Sequence, residues 1–318
     1  MTGELDDFAI VTHGGAGEPL EFTDGCEAAA RCGRECMLET GDALEAAIAA
    51  VVVLEEDERF NAGTGAVLCL DGTTIEMDAS VMDTRGRLAA IAGVRDVRNP
   101  VLLARAVADT PHVFLIGEGA DRFARALGHE RAQPIRSSQH EKHARLLSEF
   151  AGSAPVMPGI ENRLFEQFWN YKMPLALPSS QSHDTVGAVV RGPDGHFAVA
   201  GSTGGSAPSL LGRVGDTALV GSGFYAGPLG AIAATGVGEH IIRHMLARTV
   251  YGWIEQGLPL QEALQRGIDL IDNDVDTGLI AVTKTEAASC SNTHMPVGKI
   301  CMTKDRSTTR SQQVIPGG

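Results

Sequence analysis

The chain has 318 residues, of which 43% are hydrophobic and 21% charged, a composition typical of a globular protein with one large domain or two ordinary ones. Its formal net charge of −14 argues against nucleic acids and anionic membranes as partners, because binding phosphate groups requires a basic surface. An acidic first segment, six cysteines without a C-x-x-C pair and a longest apolar run confined to Ala46–Leu54 predict a cytoplasmic protein without a signal peptide or a membrane span.

The N-terminal part of the chain consists of apolar, periodic stretches separated by turns. The predicted elements are a strand at Phe8–Thr12, helices at Asp24–Glu39 and Asp42–Glu55, short strands between Ala66 and Val94, a helix at Pro100–Asp109, a strand at His112–Ile116 and a helix at Gly119–Leu127. Strands and helices occur in mixed blocks, not in regular βαβ units. This arrangement is more typical of a layered α+β fold with antiparallel sheets than of a doubly wound fold.

After these elements the character of the sequence changes. Residues from about 128 to 184 are polar, with scattered Pro and Ser, and predict a flexible, partly helical connector. Order returns at Thr185 with strands, glycine turns and helices up to about Asp272. A last pair of strands is predicted near Leu279–Thr283 and Val297–Met302.

The most informative segment is a predicted hairpin directly after the connector. Its two strands flank a turn with the sequence Gly-Pro-Asp-Gly: Thr185–Arg191 and His196–Gly201. Pairing Arg191 with His196 would place Thr185 opposite Ser202 and beside Thr203. The hairpin is therefore predicted to bring a second hydroxyl group to the first residue of the strand.

A threonine hydroxyl becomes a good nucleophile only when a base removes its proton. If the bond before Thr185 is cleaved, the freed α-amino group can be that base, since its ordinary pKa of about 7.7–8.0 suits neutral pH. Arg213 and Asp216 can hold the α-carboxylate and α-ammonium of a substrate, and nearby glycines can direct N–H groups at an oxyanion. Each of these residues taken singly is more often structural, so the hypothesis depends on their combination.

Together these segments resemble the Thr-dependent N-terminal-nucleophile (Ntn) hydrolases, the family of plant-type asparaginases, isoaspartyl peptidases and glycosylasparaginases. The resemblance covers nearly the whole chain and is carried by HGGAG (His13–Gly17), FNAGTGAV (Phe60–Val67), EMDASVMD (Glu76–Asp83), AGVRDVRNPVLLAR (Ala92–Arg105), LIGEGA (Leu115–Ala120), HDTVGAVV (His183–Val190), STGG (Ser202–Gly205), GRVGDT (Gly212–Thr217) and ATGVGE (Ala234–Glu239). No single glycine-rich motif among them would be specific, but the set is.

The resemblance implies a four-layer αββα sandwich, formed by residues 1–318 as a single Ntn-hydrolase domain and made as an inactive precursor. Self-cleavage between Asp184 and Thr185 would separate an α subunit, residues 1–184, from a β subunit, residues 185–318. Relatives assemble as a dimer of such heterodimers. The implied reaction is hydrolysis of the side-chain amide of L-asparagine and of β-aspartyl (isoaspartyl) dipeptides through an acyl-enzyme.

The resemblance also implies roles for particular residues. Thr185 matches the nucleophile, Thr203 the threonine that orients it, and Asn61 an asparagine that supports it. Thr235 and Gly236 match the oxyanion hole. The remaining matches are the substrate-binding residues and a loop that packs near the nucleophile in relatives: Arg213 and Asp216, and His13–Gly15.

The resemblance implies no cofactor for catalysis, but the loop Leu54–Thr64 matches one that wraps a structural sodium ion. The ligands there are backbone carbonyls, which leave little trace in side-chain identity. The candidate carbonyls are those of Leu54, Glu55, Asp57, Phe60, Ala62 and Thr64.

Two features favour different branches of the family. Asp184 before the nucleophile is typical of glycosylasparaginases, whereas the HGGAG and FNAGTGAV motifs are typical of plant-type asparaginases. Several motifs outweigh one residue, so we expect an asparaginase/isoaspartyl peptidase, with glycosylasparaginase as the alternative. Near the substrate pocket, Tyr225–Thr235 and Asn292–Pro296 are shorter than in relatives and Ser209 stands where many have Lys. The preferred leaving group therefore stays open.

Two further alternatives belong to other classes. A nucleotide-binding oxidoreductase would account for the many glycines, but Gly221-Ser222-Gly223 does not extend to a complete G-x-G-x-x-G motif. A non-catalytic homologue would account for the C-terminal departures, although every matched catalytic position is intact.

Overall fold

The computed structural model describes residues 7–69, 71–150, 185–207, 209–303 and 306–308. Most of the predicted connector, including Asp184, lies outside the described residues. The part of the connector that is described contains one helix, Ser137–Phe150. In the described part of the chain, no helix is both long and apolar enough to cross a membrane.

Helices and strands alternate in mixed blocks along the described residues. The elements are β1 Phe8–His13, α1 Thr23–Thr40, α2 Ala43–Glu56, β2 Met77–Asp83, β3 Leu88–Val94, α3 Pro100–Val107, β4 Phe114–Ile116, α4 Gly117–Leu127, α5 Ser137–Phe150, β5 Thr185–Arg191, β6 Phe197–Thr203, β7 Phe224–Gly227, β8 Gly230–Gly236, α6 Gly238–His244, α7 Leu246–Glu255, α8 Leu260–Ile268, β9 Thr277–Thr283, β10 Ala287–Ser291, β11 Val297–Thr303 and β12 Arg306–Thr308. The predicted N-terminal helices are confirmed, and Asp42 caps α2 by accepting hydrogen bonds from the N–H groups of Leu44 (2.8 Å) and Glu45 (3.2 Å).

The larger of two sheets contains eight strands in the order β12-β11-β1-β5-β6-β2-β3-β4. Its strand pairs are antiparallel except for β3 and β4, which run parallel. Strands β5 and β6 lie in the middle of this sheet, and every residue of both is buried. The strand that begins at Thr185 is thus paired with a neighbouring strand on each side, β1 and β6.

The smaller sheet contains four antiparallel strands in the order β10-β9-β8-β7. The predicted last pair of strands is wrong as a pair, because β9 belongs to this sheet whereas β11 pairs with β1 in the larger one. Strand β9 pairs with β8 and with β10. The sequence of β10, Ala287–Ser291, is a short run of small and polar residues without the alternation that marks a strand. The chain therefore changes sheets between β10 and β11.

Three groups of buried side chains hold these elements together. Helices α1 to α4 pack against the larger sheet, and α6 to α8 pack against the smaller one. Between the sheets, Val11, Val189 and Val199 of the larger sheet share one cluster with Phe224 and Ile280 of the smaller. The fold is thus a mixed α+β arrangement in which both sheets contribute to a common core.

The β5–β6 hairpin differs by one residue from the predicted register. Arg191 pairs with Phe197, not with His196, because the loop contains three residues and is closed by a hydrogen bond from the N–H of Gly192 to the carbonyl of His196 (2.8 Å). Gly195 adopts the left-handed conformation that ends such a loop, with φ 80°. As a consequence Thr203 lies directly opposite Thr185, and Ser202 lies opposite Val186.

Candidate active site

Thr185 occupies the first position of β5 and is buried, with 5% of its surface exposed. Its Oγ1 lies 3.2 Å from the Oγ1 of Thr217, so the two hydroxyls share a hydrogen bond. The backbone N of Thr185 donates to Oγ1 of Thr235 over 3.4 Å, and that hydroxyl donates in turn to the carbonyl O of Thr185 over 3.5 Å. The candidate nucleophile is therefore bordered by uncharged hydroxyl groups.

Thr203 is held by the turn that follows it. Its Oγ1 accepts a hydrogen bond from the N–H of Gly205 (3.0 Å). Asn61 supports the same turn, because its Nδ2 donates to the carbonyl of Gly205 (2.6 Å) and its backbone carbonyl accepts from the N–H of Gly204 (2.9 Å). The structure thus brings the supporting asparagine and the orienting threonine of the prediction to one turn, beside Thr185.

Thr235 and Gly236 form the end of β8. The hydroxyl of Thr235 accepts a hydrogen bond from the N–H of Ala16 (3.3 Å), in the glycine loop that begins at His13. Gly236 has a φ of 134°, a conformation that glycine adopts without strain, and it lines the same cleft as Thr185. Both predicted oxyanion residues therefore lie beside the candidate nucleophile.

His13 packs in the sheet next to Gly187, two residues along from Thr185. Burial lowers the pKa of His13 to about 3, and the backbone of Thr185 opposes this shift only in part. The imidazole is therefore neutral at physiological pH, and it adds no charge near the hydroxyl groups.

Arg213 is fixed by a carboxylate that lies outside the predicted site. Its Nε and Nη2 donate to the two carboxylate oxygens of Glu239, over 2.9 Å and 2.8 Å. Its Nη1 lies along the glycine wall formed by Gly205 and Gly215. Since a bidentate pair fixes the plane of the guanidinium, Nη1 is held in position to meet a carboxylate in the cleft.

Asp216 is a buried carboxyl group, with 3% of its surface exposed. Its Oδ2 has no hydrogen-bond partner among the described residues. Burial raises the pKa of Asp216 to about 7, although the positive charge of Arg213 opposes the rise. A buried carboxylate with an unpartnered oxygen is unfavourable, and a substrate ammonium would supply the missing donor.

Asp78 anchors the loop that carries Arg213 to the larger sheet. It lies in β2 opposite Thr203, and its two carboxylate oxygens accept from the N–H groups of Gly93 (2.9 Å) and Gly215 (3.2 Å). Burial raises the pKa of Asp78 to about 6, and these hydrogen bonds moderate the rise. The loop is thereby fixed relative to the strand that bears Thr203.

Five of the predicted residues line one narrow cleft, with room for roughly one water molecule at about 10 Å³: Thr185, Thr203, Arg213, Asp216 and Gly236. Thr235 and Asn61 are not part of this lining, but they make hydrogen bonds to Thr185 and Gly205, which are. A larger cavity of about 240 Å³ lies elsewhere, between the Gly63–Thr64 turn and Arg95. We place the chemistry in the small cleft, because hydroxyl groups and substrate-binding charges meet there. The residues of the cleft divide into a nucleophile side, Thr185, Thr203, Thr217 and Thr235, and a binding side, Arg213, Asp216 and Glu239.

Three of the residues just described had no predicted role: Asp78, Thr217 and Glu239. All three lie within the motifs quoted above, but a motif does not show which of its side chains make contacts. Thr217 directly follows Asp216, so its place next to a predicted binding residue was the one available signal. The contacts of Asp78 and Glu239 join segments far apart in the sequence, and no local pattern reveals them.

The loop after α2 brings several backbone carbonyls together. A Cβ at Gly63 would lie 2.6 Å from the carbonyl O of Glu55, and a Cβ at Gly65 would lie 2.7 Å from that of Glu58 and closer still to that of Phe60. The two glycines thus border a cradle of carbonyl oxygens, a donor set that suits a hard cation. In the part of the chain that the structure describes, no group of three or more His, Cys, Asp or Glu side chains could hold a metal ion.

Comparison with known proteins shows the family of this chain. The profile of the family described as Asparaginase matches residues 7–310, so the chain belongs to that family. It is 38% identical over 300 residues to the isoaspartyl peptidase/L-asparaginase of Macaca fascicularis, covering 90% of this chain and 91% of that protein. It is 40% identical over 272 residues to the isoaspartyl peptidase of Escherichia coli K12 (81% and 80%). To the plant-type L-asparaginase of Pyrococcus furiosus it is 39% identical over 274 residues (82% and 84%).

Proposed function

We propose that this chain is a hydrolase of C–N bonds, cleaving the side-chain amide of L-asparagine and β-aspartyl dipeptides. The names of its relatives support this activity. The observation that carries the mechanism is the cleft itself. Thr185 is the first residue of a strand, and hydroxyl groups of neighbouring residues contact its Oγ1 and its backbone N–H. The same cleft contains the guanidinium of Arg213 and the carboxyl group of Asp216, which lacks a hydrogen-bond donor among the described residues.

Turnover uses the residues of both sides of the cleft. Arg213 holds the α-carboxylate of the substrate and Asp216 its α-ammonium, which places the β-carbonyl against Thr185. The α-amine of Thr185 takes the proton from Oγ1, and Oγ1 attacks the β-carbonyl carbon. Thr235 and Gly236 stabilise the oxyanion, and Thr203 orients the nucleophile. The proton passes to the leaving ammonia or amino acid, and water then hydrolyses the ester.

The same hydroxyl makes the mature enzyme. Thr185 attacks the carbonyl of Asp184, and the C–N bond breaks, so that the peptide becomes an ester and the α-amine of Thr185 is freed with the hydroxyl proton. Water then cleaves that ester, which frees the hydroxyl of Thr185 and the carboxylate of Asp184. A four-layer αββα domain would then consist of residues 1–184 and 185–318, and two such heterodimers would assemble. The cytoplasmic location stays a prediction from the sequence.

A sodium ion would fit the carbonyl cradle after α2. The carbonyls of Glu55 and Phe60 border this cradle in the structure, and that of Glu58 joins them. Of the other predicted carbonyls, that of Leu54 lies within α2, and those of Asp57, Ala62 and Thr64 lie in the loop that follows the helix. A bound cation would neutralise the convergent oxygen dipoles and stiffen the loop that ends near Asn61, without entering the reaction.

Asp184 supports glycosylasparaginase activity as the second candidate, because that residue precedes the nucleophile in the glycosylasparaginase branch. The two candidates share the binding side of the cleft and differ only in the leaving group. Hydrolysis of N4-(N-acetylglucosaminyl)-L-asparagine, measured beside that of L-asparagine and a β-aspartyl dipeptide, separates them by kcat/KM.

The test begins with the intact mass of fresh and aged protein and N-terminal sequencing of any fragments. We expect a second chain that starts Thr-Val-Gly-Ala-Val. The Thr185→Ala variant should stay a single chain and lose turnover by roughly 10⁴-fold or more, as loss of a nucleophile does elsewhere. A variant that still hydrolyses these substrates would exclude the mechanism. A folded wild-type chain that is neither cleaved nor active would indicate a non-catalytic homologue.

A further inference from the structure

The hydroxyl groups of Thr217 and Thr185 share a hydrogen bond, with 3.2 Å between the two Oγ1 atoms. Both residues are buried, at 3% and 5% exposure, so solvent does not compete strongly for either hydroxyl. We propose that Thr217 is a positioning residue, whose hydroxyl holds Oγ1 of Thr185 for attack. This inference rests on the proposed function.

The surroundings of Thr217 fix where its hydroxyl points. Thr217 lies in the short 3-10 turn Asp216–Ala218, and its carbonyl accepts a hydrogen bond from the hydroxyl of Ser80 in β2 (2.6 Å). Its Cγ2 packs over Gly201 of β6, where an added Cβ would lie only 3.5 Å away. Backbone and methyl group are thus both held against the larger sheet, which leaves Oγ1 directed at Thr185.

The direction of the hydrogen bond follows from the chemistry. When Thr185 reacts, its hydroxyl proton moves to its own α-amine, so its Oγ1 can then only accept. Thr217 therefore donates in the reactive state and keeps its own proton throughout. A donor to an oxygen that gains negative charge stabilises that charge and fixes the lone pair that attacks. In self-cleavage the nitrogen of Thr185 is still a peptide amide and cannot be the base. The same oxygen nevertheless loses its proton as it attacks the carbonyl of Asp184, so Thr217 can again only donate to it.

One turn carries both this hydroxyl and the carboxyl group for the substrate ammonium. The carbonyl of Asp216 accepts hydrogen bonds from the N–H groups of Leu219 (2.8 Å) and Gly223 (3.2 Å), which hold the turn closed. A substrate that binds Asp216 is therefore placed by the same rigid turn that places Oγ1 of Thr185. The register between substrate and nucleophile depends on this turn.

The experiment compares Thr217→Val, which removes only the hydroxyl, with Thr217→Ser, which keeps it. Thr217→Val should lower kcat and the rate of self-cleavage each by about 10- to 100-fold, the loss expected for one hydrogen bond to a charged group. KM and inhibition by L-aspartate should change less than about threefold, because Asp216 and Arg213 stay in place. Thr217→Ser should recover most of the loss. Thr283→Val, a buried threonine at the far end of β9, is the matched control for loss of a buried hydroxyl.

Two results would overturn the inference. One is a Thr217→Val variant whose kcat and self-cleavage stay within twofold of wild type. The other is a Thr217→Ser variant as impaired as Thr217→Val, since the effect would then come from packing. Failure of the proposed function looks different, because Thr185→Ala would then retain activity. A dead Thr185→Ala beside a normal Thr217→Val rejects only the role of Thr217.

Discussion

The two sides of the cleft hold their functional groups in different ways. On the nucleophile side, neutral hydroxyls bond to one another and to the backbone of Thr185, over 3.2 to 3.5 Å. On the binding side, Arg213 already has a partner in Glu239, whereas Asp216 keeps an unpartnered oxygen. A hydroxyl network can be complete before the substrate arrives, but a buried, unpartnered carboxylate is completed only by a ligand.

The two sides also differ in where the fold places them. The nucleophile side lies mainly on strand ends, since β5 begins at Thr185, β6 ends at Thr203 and Thr235 is near the end of β8. The binding side lies on the loop before the Asp216 turn and on α6, which carries Glu239. Under the proposed mechanism, self-cleavage uses only the nucleophile side, whereas turnover uses both sides. Substitutions on the binding side should therefore separate the two reactions.

The largest effect is expected for Arg213→Ala. This variant should lose roughly 10²- to 10³-fold in kcat/KM for L-asparagine, because truncating one partner of a partly buried charge pair typically costs several kcal/mol. Self-cleavage should stay within a few-fold of wild type, because the precursor presents no free α-carboxylate at that step. The measurements are steady-state kinetics and a time course of intact mass.

The control for Arg213→Ala is the double variant that also carries Glu239→Gln. It removes the carboxylate that the single variant leaves without its guanidinium. If turnover stays low in the double variant, the missing guanidinium is the cause. Recovery of turnover would instead show that the stranded charge of Glu239 distorts the cleft, and a loss of self-cleavage in both variants would contradict the separation of the two sides.

The acid sides of the pH profiles of kcat/KM and kcat should differ, because each additional group that becomes protonated lowers the rate by about tenfold per pH unit. Asp216 has its pKa raised to about 7 by burial, so in the free enzyme its carboxyl group becomes protonated below that pH. The α-amine of Thr185, with an ordinary pKa of about 7.7–8.0, is also lost as a base on the acid side. Because kcat/KM reports the free enzyme, it should fall when either Asp216 or the α-amine becomes protonated. Because kcat reports the complex, in which the substrate occupies Asp216, it should fall only when the α-amine becomes protonated.

Asp216→Asn provides the matched test of that assignment. Its residual kcat/KM should fall with a single ionisation on the acid side, parallel to kcat, because the second titrating group is gone. Parallel profiles already in the wild type would contradict the assignment, and they would mean that the carboxylate is ionised before the substrate binds.

Much of the nucleophile side could be predicted from the sequence, because it depends on local rules. A strand that begins at Thr185, a turn with Pro and Gly and a returning strand bring Thr203 back whatever the rest of the fold. The error of one residue in the register arose at the turn, where three loop residues and the left-handed Gly195 replace the assumed four. The motifs of the family supplied the residues from other segments, Asn61 in the loop after α2 and Thr235 in β8.

The contacts that the sequence could not reveal join distant segments. The pairing of Arg213 with Glu239 depends on how α6 packs beside the preceding loop, and the support of Asp78 depends on β2 lying next to β6. Thr217 illustrates the limit best, since its hydroxyl meets Thr185 only because Ser80 holds its backbone against the sheet. Such contacts follow from tertiary packing, for which no periodicity or turn signal exists.

The smallest effect is expected at Glu55, a buried carboxyl group near Ser202, the residue before Thr203. Glu55 is fully buried, and its Oε1 accepts a hydrogen bond from the N–H of Val101 (2.9 Å). Its Oε2 has no hydrogen-bond partner within the part of the chain that the structure describes. Burial raises the pKa of Glu55 from 4.5 to about 7, and the nearby Ser202 limits the rise. Its contribution to stability is therefore present below pH 4.5 and lost as the pH rises to about 7.

Glu55→Gln should remove this pH dependence while keeping the acceptor for Val101. Above pH 7 the variant should be more stable than wild type by about 1–3 kcal/mol, and near pH 4 the difference should vanish. Urea unfolding in a Thr185→Ala background, which keeps one uncleaved chain, measures this. Glu55→Ala, which leaves the N–H of Val101 unpaired and a cavity behind it, should be destabilised at every pH. If Glu55→Gln is less stable than wild type at pH 8, the folded protein stabilises the carboxylate of Glu55, and burial does not dominate its pKa.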